Sequence, residues 1–415
     1  MHEQALIPNL FRTEYRKIVA VLCSTFGIDH IETAEDIVSD TFLTATESWS
    51  ISGIPENPTA WLYTVAKNKT RNHLKRDTLF QQKISTEIKY TSVNSEEFEI
   101  DLSHKNIADS QLAMMFTICN PAISKESQIS LALNLLCGFG TQEIADAFLV
   151  SKEVVYKRLQ RAKEKLKTEG IKIEQPSVLQ IHSGLETVLT TLYLLFSEGY
   201  YSTSQNTILR KDLCHEAIRL TLSLLENKTT NIPATNALLS LMYFHSSRFN
   251  ARFNERGESI LYEEQDDALW DQVLIEKGIK YLNQSASGSY LTKFHLEAGI
   301  AYWHTRKKDT EEKWQNILQL YNQLLQIEYS PIAALNRTFA FAKVRGKSAA
   351  ISEAEKLNLT DNPFYYSLLG HLYTDVNDVK AKQNFEEALR LSGSGPASGT
   401  LKKYIDGLNA KINNR

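Results

Sequence analysis

Apolar residues that recur every three or four positions dominate this sequence, and they constrain the fold more than any other feature. Phe11, Tyr15, Ile18, Leu22 and Phe26, for example, fall on one face of a helix. Strict apolar/polar alternation is rare, and the 415 residues include only 17 glycines and 9 prolines. The pattern predicts an all-α fold, and the length predicts two to three domains of about 100–200 residues each.

Composition narrows the class of protein. The net charge is −3, so any nucleic-acid binding must depend on a local concentration of basic residues. The four cysteines, Cys23, Cys119, Cys137 and Cys214, form no CxxC pair, which argues against a disulfide framework and a structural zinc site and suits a reducing cytoplasm. The N-terminus has no apolar signal core, and no apolar run approaches the ~18 residues of a membrane span. We therefore expect a soluble, cytoplasmic protein without metal or cofactor.

The first third of the chain divides into helical blocks and polar connections. Thr33 is predicted to cap a helix from Ala34 to about Trp49, and another helix is predicted from Thr59 to about Arg76. Residues 85–110 are polar and patternless, which indicates a linker. A second compact block is predicted from about Asn120 to Lys167, and Pro176 marks a second, short linker.

The remainder, from Leu185 to Leu408, is predicted to form stacked helical hairpins. One stretch is similar to a tetratricopeptide unit, although its two halves are one residue closer than usual. The matching positions are Leu369, Gly370, Tyr373, Ala381, Phe385 and Ala388.

The stretch EIADAFLVSKEVVYKRLQRAKEKL predicts a helix-turn-helix. Ile144, Ala145 and Phe148 give the first helix an inner face, and Ser151 is a good N-cap for the second helix. The predicted buried face of the second helix is Val154, Val155, Leu159, Ala162 and Leu166. Its other face is strongly basic, as in a helix that enters the major groove. A solvated basic helix on a bundle is the alternative. Leu149 occupies the turn where many such motifs have glycine, so it requires a different geometry or a strained backbone.

Three motifs in this order resemble the extracytoplasmic-function group of bacterial sigma-70 family factors: AEDIVSDTFLTATESW, NPTAWLYTVAKNKTRNHLKR, and the helix-turn-helix ending RLQRAKEKL. The stretches LYLLFSEGYYSTS, DLCHEAIRL and LYEEQDDALWD resemble the subgroup with a long C-terminal tetratricopeptide-like extension. That subgroup usually reads QDRSLWD in the third stretch, so Asp267 and Ala268 are departures. The resemblance implies region 2 in residues 1–80, a linker in 81–119, region 4 in 120–170 and a regulatory helical domain in 180–415.

The resemblance also implies partners for the N-terminal helices. Asp36, Asp40 and Phe42 are expected to contact core RNA polymerase. Asp36 and Asp40 are four residues apart on one helix face, where like charges cost stability unless a basic partner compensates. An ordinary solvated acidic face is the alternative.

For promoter DNA, the resemblance implies two sets of contact residues. The −10 element is expected to meet Trp61, Lys67, Asn68, Arg71, Asn72 and Lys75. The −35 element is expected to meet Ser151, Lys152, Glu153, Val155, Tyr156, Arg158 and Arg161. In such contacts, carboxamide groups hydrogen-bond to base edges, and cationic side chains bind phosphates. The alternative is that Asn68 and Asn72 are ordinary polar residues of a helix surface.

Two functions remain for the C-terminal region. The first is a module that regulates the sigma factor through a partner protein. The second is a small-molecule-binding or catalytic domain, with Glu198, His245, Arg248, Asp266, His295 and His304 as possible polar site residues. The possible regulatory residues are Glu198, Tyr200, Asp266 and Trp270. Glu198 is expected to be buried or half-buried and to bond backbone groups or Arg210. The sequence therefore predicts a non-enzymatic sigma factor that binds core RNA polymerase and promoter DNA. The alternative is a helix-turn-helix regulator that binds DNA without polymerase and senses a ligand.

Overall fold

A computed structural model describes residues 6–84, 100–148, 150–201, 210–252, 260, 262–288, 290–392 and 398–413. These residues form helices joined by short connections and contain no strand, which confirms the all-α fold. The chain separates into two compact units, Met1–Leu194 and Leu195–Arg415.

In its described residues, the first unit contains seven numbered helices and the start of an eighth. Their bounds are α1 Leu6–Phe26, α2 Ile31–Ser52, α3 Pro58–Ile84, α4 His104–Ile118, α5 Lys125–Leu131, α6 Thr141–Phe148, α7 Lys152–Thr168 and α8 Val178–Tyr201. A short 3-10 helix, Ile28–His30, precedes α2, and a π-helical turn, Ala132–Leu136, continues α5.

Helix α1 lies at the centre of the first unit. The predicted face is partly or fully buried, but burial extends around the whole middle of the helix, because every residue from Ile18 to Cys23 is at most 1% exposed. Helices α2, α3 and α4 and the π-helical turn all pack against α1. The segments predicted as two separate domains therefore share one core.

Two predictions about the connections are wrong. Helix α2 already begins at Ile31, so Thr33 lies inside it, and His30 holds the cap position without a side-chain cap bond. The linker predicted for residues 81–119 is helical at both ends, because α3 continues to Ile84 and α4 begins at His104. Ile107, Leu112 and Met115 of α4 are buried, which explains why this polar-looking segment folds. Residues 85–99 lie outside the described part of the chain.

The second unit continues from α8 with ten further helices in its described residues. They are α9 Lys211–Glu226, α10 Pro233–Ser246, α11 Gln272–Ser285, α12 Lys293–His304, α13 Glu311–Ile327, α14 Pro331–Arg345, α15 Lys347–Leu357, α16 Pro363–Tyr373, α17 Asp378–Ser392 and α18 Ser398–Asn413. Consecutive helices pack against each other, most extensively α10 on α11 and α16 on α17. Helical hairpins are therefore present as predicted.

Gly370 allows the α16–α17 hairpin to close. A Cβ atom at this position would lie 2.7 Å from the ring of Phe385, which is 1% exposed. Substitution Gly370→Ala should therefore lower the free energy of unfolding by about 1–3 kcal/mol, the usual cost of overpacking a core. Gly407→Ala in α18 is the matched control, because nothing lies within 4 Å of its added methyl group. The control should stabilise by about 0.5–1 kcal/mol. Urea unfolding followed by circular dichroism measures both, and an equally stable Gly370→Ala protein would contradict the packing argument.

Candidate nucleic-acid interface

Helix α2 presents an acidic face with an exposed leucine. Asp36 and Asp40 are both exposed, and Leu43, two turns after Asp36, is 55% exposed. The Asp40 carboxylate accepts a 2.6 Å hydrogen bond from the Lys69 ammonium of α3. Phe42 is 4% exposed and packs edge-on against Phe11 at 5.0 Å, so the prediction that it contacts a partner is wrong. Phe42 lies four residues after Val38, so the sequence spacing alone puts both on the buried face of α2. Leu43 is the apolar side chain exposed on the acidic face.

Helix α3 separates a buried side from a polar side. Leu62 and Ala66 are at most 1% exposed, whereas Asn68, Arg71, Asn72 and Lys75 are exposed. Asn68 lies three and four residues before Arg71 and Asn72, and Lys75 lies four and three residues after them, so the four side chains share one face. The face combines two carboxamides with two cations, which suits a single strand of nucleic acid.

Trp61 and Lys67, the other two residues of α3 that were predicted to contact the −10 element, lie nearer the core. Lys67 is half-buried. Trp61 is also half-buried and meets Trp49 of α2 edge-on, with the ring centroids 5.3 Å apart. Trp61 therefore positions the start of α3 against α2.

Helices α6 and α7 form the predicted helix pair. The Ser151 hydroxyl accepts the backbone N–H of Val154 at 3.4 Å, which confirms the N-cap. Ile144, Ala145, Leu159, Ala162 and Leu166 are buried as predicted. Leu149 lies outside the described residues.

Both valines of α7 were predicted to lie on its buried face, and the structure confirms this for Val155 alone. Val154 is 44% exposed, so its assignment to the buried face is wrong. Val155 is fully buried, so its assignment to the DNA contacts is wrong as well. Val155 shares a face with Leu159, four residues later, and this face packs on α5 and α6.

The first three turns of α7 carry an exposed basic surface. Lys152, Tyr156, Lys157 and Arg161 are all exposed. Glu153 is exposed too, and hydrogen bonds from its own backbone N–H and from the Ser151 hydroxyl lower its pKa. This carboxylate lies at the helix N-terminus, where a negative charge is favourable.

Arg158 does not belong to that surface. It is half-buried, its Nη1 atom donates to the Ser130 hydroxyl at 3.4 Å, and its guanidinium lies 5.8 Å from the centre of the Phe148 ring. Arg158 therefore joins α7 to α5 and α6, and the prediction that it reads a base is not supported by its position.

The far end of α7 is tied to α2. The Lys163 ammonium lies 2.6 Å from the Glu35 carboxylate, and the two side chains are only 17% and 18% exposed. Lys167 lies 3.5 Å from Asp29, and α7 packs on the 3-10 helix Ile28–His30. Lys163 and Glu35 are separated by 128 positions in the sequence, so no local pattern could have predicted their contact.

The four candidate regulatory residues of the second unit have different environments. Glu198 is exposed, and partial exclusion of water by the surrounding protein raises its pKa. Arg210 pairs with Asp212 at 2.8 Å, so the predicted bond between Glu198 and Arg210 is wrong. Asp266 accepts the backbone N–H of Ala268 and caps a 3-10 turn.

Tyr200 and Trp270 are each 4% exposed. The Arg252 guanidinium lies 3.9 Å from the centre of the Tyr200 ring and donates to the Tyr200 carbonyl at 2.8 Å. Around Tyr200 the structure therefore shows a packed aromatic and cationic cluster.

The cysteines lie in the two cores. All four thiols are buried and unbridged, and burial raises the pKa of Cys119 and of Cys214 to about 12. Among the described residues, no three His, Cys, Asp or Glu side chains are placed to share a metal ion. In the same part of the chain, none of the helices has both the length and the apolar content needed to cross a membrane.

Together these surfaces define an all-helical protein that offers one acidic face and two basic, hydrogen-bonding helix faces, as a protein that joins a partner to nucleic acid would. The comparisons agree with this class. Residues 10–79 match the family model of sigma-70 region 2, which supports a sigma factor role in transcription by RNA polymerase. Residues 184–286 match a family of unknown function (DUF6596).

One curated relative spans nearly the whole chain. An uncharacterized protein of Rhizobium meliloti (strain 1021) is 29% identical over 388 residues, which cover 92% of this chain and 91% of that protein. No solved structure matches. Two separate segments of the chain therefore match two different families, and the similarity to this relative extends over nearly the whole chain.

Proposed function

We propose that this protein is a sigma factor of the extracytoplasmic-function group that binds core RNA polymerase and directs promoter-specific initiation. The match of residues 10–79 to sigma-70 region 2 carries the proposal. The protein catalyses no reaction of its own and works in the bacterial cytoplasm with the polymerase. The helical domain from residue 180 onward, a tetratricopeptide-like extension, regulates this activity.

Recognition of the −10 element is assigned to the exposed face of α3. Asn68 and Asn72 offer donors and acceptors for the edge of an unstacked base, while Arg71 and Lys75 hold phosphates of the single strand. Trp61 packs against Trp49 of α2 and thereby helps to position α3 and its exposed face. Lys67, which is half-buried, adds positive charge at the border of the face.

Recognition of the −35 element is assigned to the first three turns of α7. Ser151 caps the helix and Glu153 lies in its first turn, so both shape the end that would enter the major groove. Lys152, Tyr156, Lys157 and Arg161 are exposed and free to meet base edges and phosphates. Arg161 is the strongest candidate for a bidentate contact to guanine, because a guanidinium matches its O6 and N7 atoms.

Core polymerase binding is assigned to the acidic face of α2, with Asp36, Asp40 and Leu43. An exposed leucine among carboxylates fits a basic partner surface that has a small apolar centre.

Run-off transcription with core polymerase tests the proposal, with the DNA upstream of the protein's own gene as template. The full-length protein is compared with one that ends at Lys172, and core binding is measured in parallel. Specific transcripts that require the protein support a sigma factor. If the protein binds DNA alone but never binds core polymerase, it is instead a DNA-binding regulator that acts without polymerase.

Arg161 and Arg158 should respond differently to removal of their guanidinium groups. Arg161→Ala should weaken promoter binding by the holoenzyme by about 1–3 kcal/mol if Arg161 reads a base. Arg158→Ala should change promoter binding much less and should lower thermal stability, because it removes a contact within the helix-turn-helix. Fluorescence anisotropy and thermal unfolding give the two readouts. The reverse ranking in promoter binding would mean that Arg158 leaves Ser130 and Phe148 when DNA binds.

A further inference from the structure

Tyr262 in the second unit is surrounded by cations and aromatic rings. The ring centroids of His304 and Trp270 lie 5.0 and 6.1 Å from that of Tyr262. Three charged groups also approach this ring: Arg248 at 5.5 Å, Lys307 at 5.4 Å and Lys313 at 5.0 Å. We call these six residues the Tyr262 cluster.

The three cations of the Tyr262 cluster have no carboxylate partner within salt-bridge distance among the described residues. Lys313 is 1% exposed, and its ammonium donates to the Tyr262 hydroxyl at 3.0 Å and to the Arg306 carbonyl at 2.8 Å. Lys307 donates to three backbone carbonyls in residues 262–265. Neutral oxygens thus satisfy the N–H groups of both lysines without neutralising their charges.

Acidic residues near the cluster are engaged elsewhere or lie in solvent. The carboxylates of Glu263 and Asp309 are 65% and 56% exposed, and both pair with Lys343, at 3.0 and 3.3 Å. Asp267 is exposed, although its charge still reaches Tyr262. Exposed carboxylates are screened by water and compensate a buried cation only weakly.

Hydrogen-bonding atoms without partners are concentrated at the same place. Arg248 Nε, Trp270 Nε1, His304 Nδ1 and Gln265 Oε1 are buried and have no hydrogen-bond partner within the described protein. Trp270 and Gln265 are 4% and 7% exposed, so bulk water does not serve them. A buried polar group without a hydrogen bond lowers the stability of the fold, so each of these atoms is expected to have a partner outside the described protein.

An ordered water molecule could accept from Arg248 and Trp270, but it would leave three neighbouring positive charges without a counter-ion. An anion would supply both the acceptors and the charge. The two donor-only nitrogens, Arg248 Nε and Trp270 Nε1, require acceptors, and carboxylate and phosphate oxygens are the acceptors that arginine favours.

We propose that the Tyr262 cluster is a binding site for a small molecule that carries a carboxylate or phosphate group. Arg248 and Trp270 donate hydrogen bonds to the anionic group, Lys307 and Lys313 supply charge, and the Tyr262 and His304 rings form its walls. The ligand would hold the 262–270 segment against the α12–α13 hairpin, to which Lys307 already joins it. The site does not depend on the proposed sigma factor activity, because the protein alone should bind the ligand.

Thermal unfolding of the full-length protein with inorganic phosphate or succinate, each compared with chloride at equal ionic strength, tests the site. One or both anions should raise the unfolding temperature in a saturable manner, and the anion that does so shows which chemistry the site prefers. Trp270→Phe, which removes only the indole N–H, and Arg248→Met should each weaken the apparent affinity by about tenfold or more. Arg390→Met is the matched control, since Arg390 is an exposed arginine paired with Glu387 in α17, and it should behave as the wild type.

Two results would overturn the site. If neither anion stabilises the wild-type protein more than chloride does, the cluster binds no such ligand. If stabilisation persists unchanged in Trp270→Phe, the effect comes from an adventitious ion only. Because Trp270→Phe preserves the aromatic packing, it decides the question even if Arg248→Met fails to fold. Loss of anion binding would leave binding to core polymerase intact, so the two proposals fail separately.

Discussion

Reversal of the charge at Asp36, by the substitution Asp36→Arg, should abolish binding to core RNA polymerase and leave the fold intact. The side chain is exposed on the acidic face of α2, so the mutation disturbs no core packing. Placing an arginine against a basic partner surface costs several kcal/mol, as like charges across an interface do. Asp36 gives a cleaner result than Asp40, because reversal of Asp40 would also break the ion pair with Lys69.

Binding of the labelled protein to core polymerase, measured by native gel shift or interferometry, provides the readout. Glu276→Arg in α11 is the control, because it makes the same charge change at another exposed helix position. Wild-type affinity in Asp36→Arg, with an intact circular dichroism spectrum, would remove α2 from the polymerase interface. The DNA-binding regulator would then become the better explanation.

Holding α7 against α2 should abolish promoter-directed transcription. Glu35→Cys and Lys163→Cys place two thiols where the ion pair now lies, and a short disulfide-containing bis-maleimide can join them. Transcription by the linked protein should fall to the level seen without a sigma factor, and reduction of the linker should restore it. The four native cysteines are buried, so they should compete poorly for the reagent.

The reason is the distance between the two DNA elements. The centres of the −35 and −10 elements lie about 25 base pairs apart, or about 85 Å at 3.4 Å per base pair. A compact unit of 194 residues has a radius of gyration of only about 16 Å. With Lys163 at 2.6 Å from Glu35, α3 and α7 cannot reach both elements at once. If α3 and α7 read the two elements as proposed, the first unit has to open before it can contact a whole promoter.

Run-off transcription before and after reduction measures this effect in one sample. The same double-cysteine protein, capped with N-ethylmaleimide, is the control for loss of the ion pair and should transcribe normally. Full activity of the linked protein would show that α7 does not need to leave α2, and the assignment of the −35 contacts to α7 would then be wrong.

Local periodicity was sufficient to predict most of the first unit. The helix over Phe11–Phe26, the Ser151 cap and the buried Leu159, Ala162 and Leu166 all follow from spacing and from short-range hydrogen bonding. These features depend on residues within one or two turns, so a single sequence contains the information.

The errors at α4 and Arg158 and the missed contact between Lys163 and Glu35 share one physical cause, which is contact between distant segments. Helix α4 looked like a linker because its apolar residues are diluted by polar ones, and the surfaces that bury them belong to α1 and to the π-helical turn. Arg158 is half-buried because it donates a hydrogen bond to Ser130, and Lys163 is half-buried because it forms an ion pair with Glu35. None of these partners lies close enough in sequence to form a pattern. For the site residues, exposure in the structure supports α3 and the first turns of α7, and the DNA contacts themselves stay predictions.

The central position of α1 has a consequence for synthesis of the chain on the ribosome. Six consecutive residues, Ile18 to Cys23, are buried on every side of the helix, and α4 contributes part of the surface that buries them. About 90 residues must be added between the end of α1 and the end of α4, which takes roughly 5–20 s at bacterial rates of translation. During that interval the nascent N-terminal helix has an apolar surface that its own chain cannot yet bury. This helix is therefore the segment that a ribosome-associated chaperone would be expected to shield first.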